Sequence, residues 1–329
     1  MKIAVIDDYQ DAFRKVKAFA KLKGHEVVTY TDSEKDPAKL AQRFEGCEVV
    51  VLTQQRSPMP RAVIEKLPRS VKLLAQTGRN AYHIDVAACT ERGIIISASG
   101  GGNSSATVEL TWALILASAR NLPTEVNNMQ AGRWQTTAGT GLQGKTLGVY
   151  AYGKIGSGVA KVGKAFGMKV VCWGRAASTA KARADSFEVA TSREAFFTEA
   201  DIVTLHLPLN KDTRGLITGA DLALMKPTGR IVNSSRAPII AEGALAGALK
   251  KGRPGFAAVD VYESEPVINR DHPLVSMPNV ICTPHLGYVT WETYELYYDA
   301  VVDNVVAYAA GAPTNVANPE VLQKKFGQA

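Results

Sequence analysis

Residues able to bind an anion and to move a proton follow three apolar runs in the last third of the chain. "NSSRAP" carries Arg236, "DVYESEP" carries Asp260 and Glu265, and "TPHLGY" carries His285. A guanidinium holds a carboxylate through two parallel hydrogen bonds. An imidazole titrates near neutral pH, and a neighbouring carboxylate favours its charged form. A lone histidine at a strand end is usually structural, so the combination of the three groups is what predicts a catalytic site.

A glycine-rich turn precedes these segments in the sequence "VYAYGKIGSGVAK". Its Ala151, Gly153 and Gly156 occupy the key positions of the G-x-G-x-x-G turn that binds the pyrophosphate of a dinucleotide. Small residues at Gly158 and Ala160 predict a helix that lies close to the sheet, with its N-terminus favouring negative charge. Alanine at position 151 is tolerable if its φ stays negative. An ordinary strand-to-helix turn is the alternative, and the surrounding pattern favours dinucleotide binding.

The next strand end, "VVCWGR", lacks the acidic residue that accepts hydrogen bonds from the ribose hydroxyls in NAD-preferring folds. Gly174 stands in its place and Arg175 follows. A 2′-phosphate is then not repelled, and the Arg175 guanidinium can pair with it, assisted by Ser178 or Lys181. We therefore expect NAD(P)(H) as the cofactor, with a preference for NADP(H). The alternative is that Arg175 stacks on adenine and the protein uses NAD(H).

Apolar, β-branched runs alternate with helical patterns along the chain. The first series has helix candidates at 36–44 and 61–67 and five strand candidates: "KIAVID", "EVVTY", "CEVVVL", "VKLLAQT" and "GIIISAS". After the breaker "GGGNSSATVE", a helix over 108–120 is predicted to enter a second series with six candidates: "TLGVYAY", "KVVCWG", "DIVTLHL", "GRIVNSS", "FAAVDVY" and "VICTPHL". A final helix over 290–309 is expected to pack back on the first domain.

This alternation is typical of α/β proteins with parallel sheets. We predict two Rossmann-like, doubly wound parallel-sheet domains with a cleft between them, because 329 residues exceed what one core usually organises. Residues 1–100 plus 288–329 are expected to form a flavodoxin-like, substrate-binding domain, and residues 101–287 an NAD(P)-binding domain. The chain ends at Ala329, so we expect no C-terminal regulatory domain.

The ordered set "GKTLGVYAYGKIG", "HLPLNKDTRGLI", "MKPTGRIVNSSRA", "AAVDVYESEP" and "NVICTPHLG" resembles the D-isomer-specific 2-hydroxyacid dehydrogenases over nearly the whole chain. That family includes phosphoglycerate, glycerate/hydroxypyruvate and D-lactate dehydrogenases. The resemblance implies an NAD(P)-dependent oxidoreductase that interconverts a small D-2-hydroxy acid and its 2-oxo acid, with a glyoxylate/hydroxypyruvate or 3-phosphoglycerate-like substrate. The alternatives are a formate dehydrogenase, which carries an amide where this chain has Glu265, and a non-enzymatic, dinucleotide-sensing corepressor with a similar Arg/Glu/His set.

The resemblance also implies a role for each polar strand-end residue. His285 corresponds to the acid/base, Glu265 to its partner, and Arg236 to the residue that binds the substrate carboxylate. Glu263 competes with Glu265 for the partner role, but only Glu265 precedes the proline of the family motif. Asp260 corresponds to the acceptor of the nicotinamide carboxamide, with a strand-end cap as the alternative.

Three residues of the first domain are candidates for substrate binding. Gly78 in "QTGRN" corresponds to a turn whose backbone N–H groups bind the substrate carboxylate. Arg79 departs from the family pattern and either binds a second anionic group or is a solvated loop charge. Arg56 in "TQQRSP" corresponds to an arginine that phosphoglycerate dehydrogenases place near the substrate, or is a surface charge. The further cofactor contacts that the resemblance implies are Thr107, Tyr152, Lys154, Ile155, His206, Pro208, Ser234, Ser235 and Gly287.

Composition narrows the remaining function classes. The net charge of +7 comes from basic residues interspersed with acidic ones, which argues against nucleic acid and suits the steering of small anions. The sequence lacks an apolar run of membrane-spanning length and a signal-peptide pattern, so we expect no membrane partner and a cytoplasmic protein. The four cysteines lack metal or disulfide spacing, and no metal is expected. "AGRWQ" and the preceding helical stretch match the family's dimerisation region, which implies a homodimer.

Overall fold

The computed structural model describes residues 1–326. The chain divides into two units, one formed by 1–103 with the segment from 290 onward and the other by 104–289. Residues 327–329 of the expected substrate-binding domain lie outside the described residues. The first unit holds a five-stranded parallel sheet in the order β2-β1-β3-β4-β5. Its strands are β1 (Lys2–Ile6), β2 (Glu26–Thr29), β3 (Val49–Leu52), β4 (Leu73–Thr77) and β5 (Ile95–Ser99).

The second unit holds a seven-stranded parallel sheet in the order β12-β11-β10-β9-β6-β7-β8. Its strands are β6 (Thr146–Tyr150), β7 (Lys169–Trp173), β8 (Glu188–Val189), β9 (Ile202–Leu205), β10 (Arg230–Asn233), β11 (Phe256–Val259) and β12 (Val280–Cys282). The strand order reverses between β6 and β9, which is where doubly wound sheets bind their ligands. The predicted fold class is confirmed. Among these strands, the short β8 was not predicted from the sequence.

Helices cover the two sheets. They are α1 (Pro37–Gln42), α2 (Arg61–Ile64), α3 (Val86–Glu91), α4 (Ser104–Ala119), α5 (Leu122–Gln130), α6 (Lys154–Ala165), α7 (Ala176–Ala184), α8 (Arg193–Glu199), α9 (Gly219–Leu224), α10 (Ala244–Lys250), α11 (Trp291–Ala309) and α12 (Glu320–Phe326), with short 3-10 helices at Lys17–Leu22, Ala237–Ile239 and Pro273–Ser276. Helix α11 begins at the cap Thr290, whose side chain accepts a hydrogen bond from the Thr293 N–H, and it packs on β4 and β5 within the first unit.

Glycines let α6 lie against its neighbours. A Cβ at Gly156 would meet the Ala151 carbonyl oxygen at 2.2 Å, so only glycine permits this approach of helix and strand end. A Cβ at Gly158 would meet Val108 of α4 at 2.7 Å. The expectation that Gly158 serves packing on the sheet is therefore wrong, because its face is turned to α4. Ala160, by contrast, is fully buried within the core of the unit.

The turn before α6 begins with an alanine in a left-handed conformation. Ala151 has φ +75°, and its N–H donates to the Trp173 carbonyl at 2.8 Å. The expected negative φ is wrong at this position. A left-handed conformation costs an L-residue about 1–2 kcal/mol, so the position keeps the backbone of a glycine turn without the glycine.

Alanine substitutions at Gly156 and Gly153 distinguish a glycine that the fold requires from one that it does not. We expect Gly156→Ala to lower the free energy of unfolding by about 1–3 kcal/mol, since its Cβ must push backbone aside. Gly153→Ala is the matched control, because a Cβ there meets nothing within 4 Å, and the change should cost less than about 1 kcal/mol. Urea denaturation measures both values. Equal losses in the two variants would contradict this account of the turn.

Candidate active site

The turn after β10 presents Arg236. Asn233, the last residue of the strand, accepts hydrogen bonds through Oδ1 from the Ser235 N–H at 3.0 Å and from the Ser235 hydroxyl at 2.9 Å. Its Nδ2 donates to the Arg236 carbonyl at 3.1 Å. Arg236 itself is exposed, and its Nη1 donates to the Ser235 carbonyl at 2.7 Å. Asn233 was not predicted as a site residue, although an asparagine at a strand end is a known turn former.

His285 and Glu265 form a close polar pair. The distance from His285 Nδ1 to Glu265 Oε2 is 2.6 Å, and Glu265 Oε1 accepts from the Tyr262 N–H at 2.9 Å. Burial raises the pKa of Glu265, but the bond to His285 and the nearby Arg236 charge outweigh it and leave that pKa below its ordinary value. Glu263 instead lies 2.8 Å from Nε2 of His272. Glu265, which the family motif favoured over Glu263, is therefore the glutamate that lies beside His285.

The backbone of His285 is strained. Its φ is +52°, a region that a non-glycine residue rarely adopts, and its N–H donates to the Thr283 carbonyl at 3.0 Å. Strain of this kind persists only where surrounding contacts enforce it, and it concentrates at functional sites. The imidazole also lies edge-on to Tyr288, with ring centroids 5.6 Å apart.

Asp260 supplies the contacts that hold this loop. Its carboxylate is fully buried and accepts hydrogen bonds from the Thr283 hydroxyl at 2.6 Å, the Leu286 N–H at 2.7 Å and the Gly287 N–H at 2.9 Å. Burial raises the pKa of Asp260, and these bonds act in the opposite direction. The capping role weighed for Asp260 is therefore present in the structure, while its contact with the nicotinamide stays a prediction.

The turn between β6 and α6 fits the pyrophosphate of a dinucleotide. Gly153 caps α6 without a side chain, and a Cβ there would point into open space rather than into the protein. The first N–H groups of the helix, at Lys154 and Ile155, lack intrahelical acceptors and carry partial positive charge.

Tyr152, in the same turn, has a structural role. Its ring is buried, its hydroxyl donates to Asp185 at 2.7 Å and its N–H donates to Ser178 Oγ at 2.6 Å, so Tyr152 braces the turn.

The ribose position at the end of β7 carries no carboxylate of its own. Gly174 has φ +154°, and the exposed Arg175 lies 3.4 Å from Asp212 through Nη2. Ser178 Oγ accepts a hydrogen bond from the Tyr152 N–H at 2.6 Å, which leaves its O–H free to donate. Lys181 Nζ lies 6.0 Å from the centre of the Tyr152 ring.

The remaining cofactor candidates of the second unit lie on or beside the same sheet edge. The Thr107 hydroxyl of α4 donates to the Gly287 carbonyl at 2.9 Å, which ties α4 to the loop carrying His285. Ser234 is buried, and its hydroxyl lies 2.8 Å from that of Thr111. His206 follows β9 and its Nε2 lies 3.0 Å from the Thr204 hydroxyl. Burial lowers the pKa of His206 to about 4, so it is neutral at pH 7 and unsuited to act as an acid.

Pro208 is exposed two residues further on, and its carbonyl accepts from the Thr213 hydroxyl at 2.6 Å. This bond closes the loop that follows His206. Pro208 can therefore offer a cofactor its ring and the second lone pair of its carbonyl oxygen.

The three substrate candidates belong to the first unit. Gly78 has φ +87°, and its N–H donates to the Ser99 carbonyl at 2.8 Å, so an anion at this turn needs the following N–H groups. Arg79 is exposed. Arg56 is half-buried: it stacks on Tyr9 at 4.6 Å and donates to the Asp7 carbonyl and, at 3.4 Å, to the Tyr294 hydroxyl. Arg56 is therefore a packed side chain rather than a free surface charge.

Two other kinds of site were sought over the described residues 1–326. No three His, Cys, Asp or Glu side chains come together there in a way that could hold a metal ion. None of the helices in this part of the chain combines the length and apolarity needed to cross a bilayer.

Comparison with known proteins identifies the family. Residues 112–287 match the family model of the D-isomer specific 2-hydroxyacid dehydrogenase, NAD binding domain. A glyoxylate reductase of Aeropyrum pernix is 38% identical over 79% of this chain and 80% of its own length. A D-3-phosphoglycerate dehydrogenase of Methanocaldococcus jannaschii is 34% identical over 100% of this chain, which spans 62% of that protein.

The fold agrees with these relatives. The crystal structure of a phosphoglycerate oxidoreductase from Vibrio cholerae superimposes with a TM-score of 0.91 at 42% identity, covering 95% of this chain and 100% of that one. Neither the formate dehydrogenase nor the corepressor alternative is favoured by the relatives named above. The chain accordingly belongs to the D-isomer-specific 2-hydroxyacid dehydrogenases, oxidoreductases that use a nicotinamide dinucleotide.

Proposed function

We propose that this dehydrogenase interconverts a small 2-oxo acid and its D-2-hydroxy acid, with His285 as acid/base, Glu265 as its partner and Arg236 as the carboxylate-binding residue. The observation that carries the proposal is the 2.6 Å contact between His285 Nδ1 and Glu265 Oε2. Because Glu265 engages Nδ1, the proton that moves is the one on Nε2. Glyoxylate, hydroxypyruvate and 3-phosphohydroxypyruvate are the substrates that we expect first, since the relatives named above are glyoxylate reductases and phosphoglycerate dehydrogenases.

The chemistry of these side chains suits the reaction. The nicotinamide, when bound, supplies the hydride for reduction and accepts it in the reverse direction. Negative charge then develops on the carbonyl oxygen, and the His285 imidazolium donates its Nε2 proton to that oxygen. Glu265 stabilises the imidazolium and fixes its orientation. Arg236 holds the substrate carboxylate and polarises the adjacent carbonyl through its planar fork.

His285→Gln tests the acid/base role. It should lower kcat by at least about 100-fold, the usual scale for a positioned acid/base, with the Kd of the cofactor unchanged. His272→Gln is the matched control, because His272 belongs to a second His–Glu pair in the same unit, and it should keep normal turnover. Steady-state rates with the three 2-oxo acids and NADH or NADPH measure both. Near-normal turnover of His285→Gln would reject the assignment.

In the same assay Arg236→Lys should raise KM as well as lower kcat, because the carboxylate is bound in the ground state and in the transition state. The other outcomes also discriminate. Failure of all three oxo acids to react with either cofactor would reject the proposed substrate class. An unchanged KM in Arg236→Lys would remove Arg236 from substrate binding.

The Glu265 contact also predicts a pH dependence of stability. The folded pKa of Glu265 is lowered, so its contribution is present above the unfolded pKa of about 4.3 and is lost as pH falls through the folded pKa. Between about pH 6 and pH 3, the free energy of unfolding should fall more steeply in the wild type than in Glu265→Gln. Glu263→Gln is the control, since that half-exposed side chain forms a weaker surface pair. Parallel curves for wild type and Glu265→Gln would contradict the prediction.

For the cofactor we propose a preference for NADP(H). Support comes from the absence of a carboxylate at Gly174 and from the exposed Arg175 guanidinium beside it. Asp212 lies 3.4 Å from Arg175, so a 2′-phosphate would have to take its place as the partner of the guanidinium. Exposed pairs of this kind are weak and exchange readily.

Arg175→Ala tests this preference. It should reduce kcat/KM for NADPH by about tenfold, the equivalent of one lost charge contact of about 1.4 kcal/mol, and leave kcat/KM for NADH nearly unchanged. Arg183→Ala, an exposed arginine of α7, is the control. Substitution of Gly174 by aspartate is a poorer test, because φ is +154° and a Cβ would meet Ser178 Oγ at 3.0 Å. A wild type that prefers NADH would overturn the proposal.

We further propose that Arg56 and Arg79 favour substrates with a second anionic group. Arg56 is held by three contacts and so presents a fixed charge, which favours a phosphorylated oxo acid over glyoxylate. In the steady-state assay with the three 2-oxo acids, we therefore expect a lower KM for 3-phosphohydroxypyruvate than for glyoxylate.

For assembly and location we propose a cytoplasmic homodimer. Apolar side chains stand exposed along α5 and the segment after it, at Leu122, Val126, Met129 and Trp134, the last with 74% of its surface accessible. A cluster of this kind commonly marks a protein interface. The four cysteines are free thiols, which suits a reducing compartment.

A further inference from the structure

A buried arginine without an acidic partner lies at the amino-terminal edge of the seven-stranded sheet. Arg230 begins β10 and only 5% of its surface is exposed. Its Nη1 donates to the Thr228 carbonyl at 3.1 Å, and its Nη2 donates to the Thr140 hydroxyl at 3.3 Å. The Nε atom is buried and has no hydrogen-bond partner anywhere in the described residues. A guanidinium has five N–H donors, so its donors are only partly used.

The surroundings of Arg230 compensate little of its charge. Its guanidinium stacks on Phe256 at 4.6 Å, a favourable but modest contact. Asp201 contacts Arg230 only through its backbone carbonyl, which accepts from the Arg230 N–H at 2.9 Å. Its carboxylate oxygens lie 2.8 Å from Lys226 Nζ and 2.8 Å from the Thr146 N–H. Burial alone lowers the pKa of Arg230, with no acidic group acting in the other direction. A buried cation of this kind ordinarily has a counter-charge.

A cavity of about 240 Å³ lies against this arginine. Besides Arg230 and Asp201, its lining includes Lys145, Thr140 and Thr228. Asp201 interacts with Lys226 and also with Lys145. The lining thus carries two positive charges, at Arg230 and Lys145, against one carboxylate. Two hydroxyl groups complete a set of donors around the cavity. Hydrogen-bond donors and positive charge converging on one cavity are the pattern of an oxyanion site.

We propose that this cavity, formed by Arg230, Lys145, Thr140 and Thr228, binds a small oxyanion of the phosphate type. The site lies within the second unit, at the opposite edge of the sheet from His285, because all strands are parallel and Arg230 stands at the start of β10 while the catalytic candidates follow strand ends. It is therefore distinct from the cofactor turn between β6 and α6. The oxyanion supplies the counter-charge of Arg230 and acceptors for its unused N–H groups.

Thermal unfolding with inorganic phosphate tests the proposal. At constant ionic strength, phosphate at ten times its Kd should raise the unfolding midpoint of the wild type by about 3 °C over sodium chloride. Arg230→Met should abolish that shift. Its own midpoint should stay near or above that of the wild type, because replacing an unpaired buried charge by an apolar side chain is commonly neutral or stabilising. Arg214→Met, an exposed arginine of the same unit, is the control and should keep the full shift.

Other outcomes are equally decisive. Phosphate bound at the cofactor turn would stabilise Arg230→Met as well, so an equal shift in both proteins overturns the proposal, as does the absence of any shift.

If Arg230→Met does not fold, calorimetric titration of phosphate into the wild type and Lys145→Gln takes its place, with at least tenfold weaker binding expected in the variant. Light scattering accompanies each sample. A loss of dimer in Arg230→Met without any phosphate effect would mean that a carboxylate of a second copy fills the cavity, and would reject a free oxyanion.

Discussion

The buried carboxylate of Asp260 is the interaction on which the candidate site depends. It collects three hydrogen bonds from the segment after β12, and those bonds hold His285 in a backbone conformation that the residue would not adopt by itself. In that conformation the imidazole lies beside Glu265. A carboxylate that is fully removed from water is stable only when such donors surround it. Stability of the loop and placement of the proposed acid/base therefore share one set of contacts.

Charge is distributed differently at the two edges of the larger sheet. At the carboxyl-terminal edge the carboxylates are satisfied: the buried Asp260 by the Thr283 hydroxyl and two backbone N–H groups, and the half-buried Glu265 by His285 and the Tyr262 N–H. At the amino-terminal edge, Arg230 is buried without an acidic partner in the described part of the chain. A parallel sheet makes this separation possible, because each strand presents its first and last residues to opposite sides.

Most strands and helices of the two units could be predicted from the sequence, and particular residues show the physical reasons. Buried parallel strands are continuous apolar runs, so segments such as "VVVL" of β3 were recognised directly. The strand β8 escaped because two residues, Glu188 and Val189, carry no periodic signal. Helix α4 begins at Ser104 rather than at 108, since its serines resemble a breaker although they form its first turn.

Two details of the site depend on contacts between separate segments of the chain and could not be predicted from the sequence. The positive φ of Ala151 occurs where its N–H bonds to the Trp173 carbonyl at the end of β7, a contact that local propensity does not report. Likewise, spacing alone does not decide between Glu263 and Glu265. In the structure Glu263 contacts His272, a residue between two of the family motifs, while Glu265 contacts His285.

Ala151 also has a meaning for recognition. A left-handed conformation is unfavourable for alanine, which prefers negative φ in any loosely held state of the loop. The tertiary contacts around the turn therefore hold φ at +75° against that preference. A ligand that meets a pre-shaped turn loses less of its binding free energy to ordering the protein. In this chain the folded contacts, rather than the residue type, supply that shape, so a change that loosens them weakens ligand binding together with the fold.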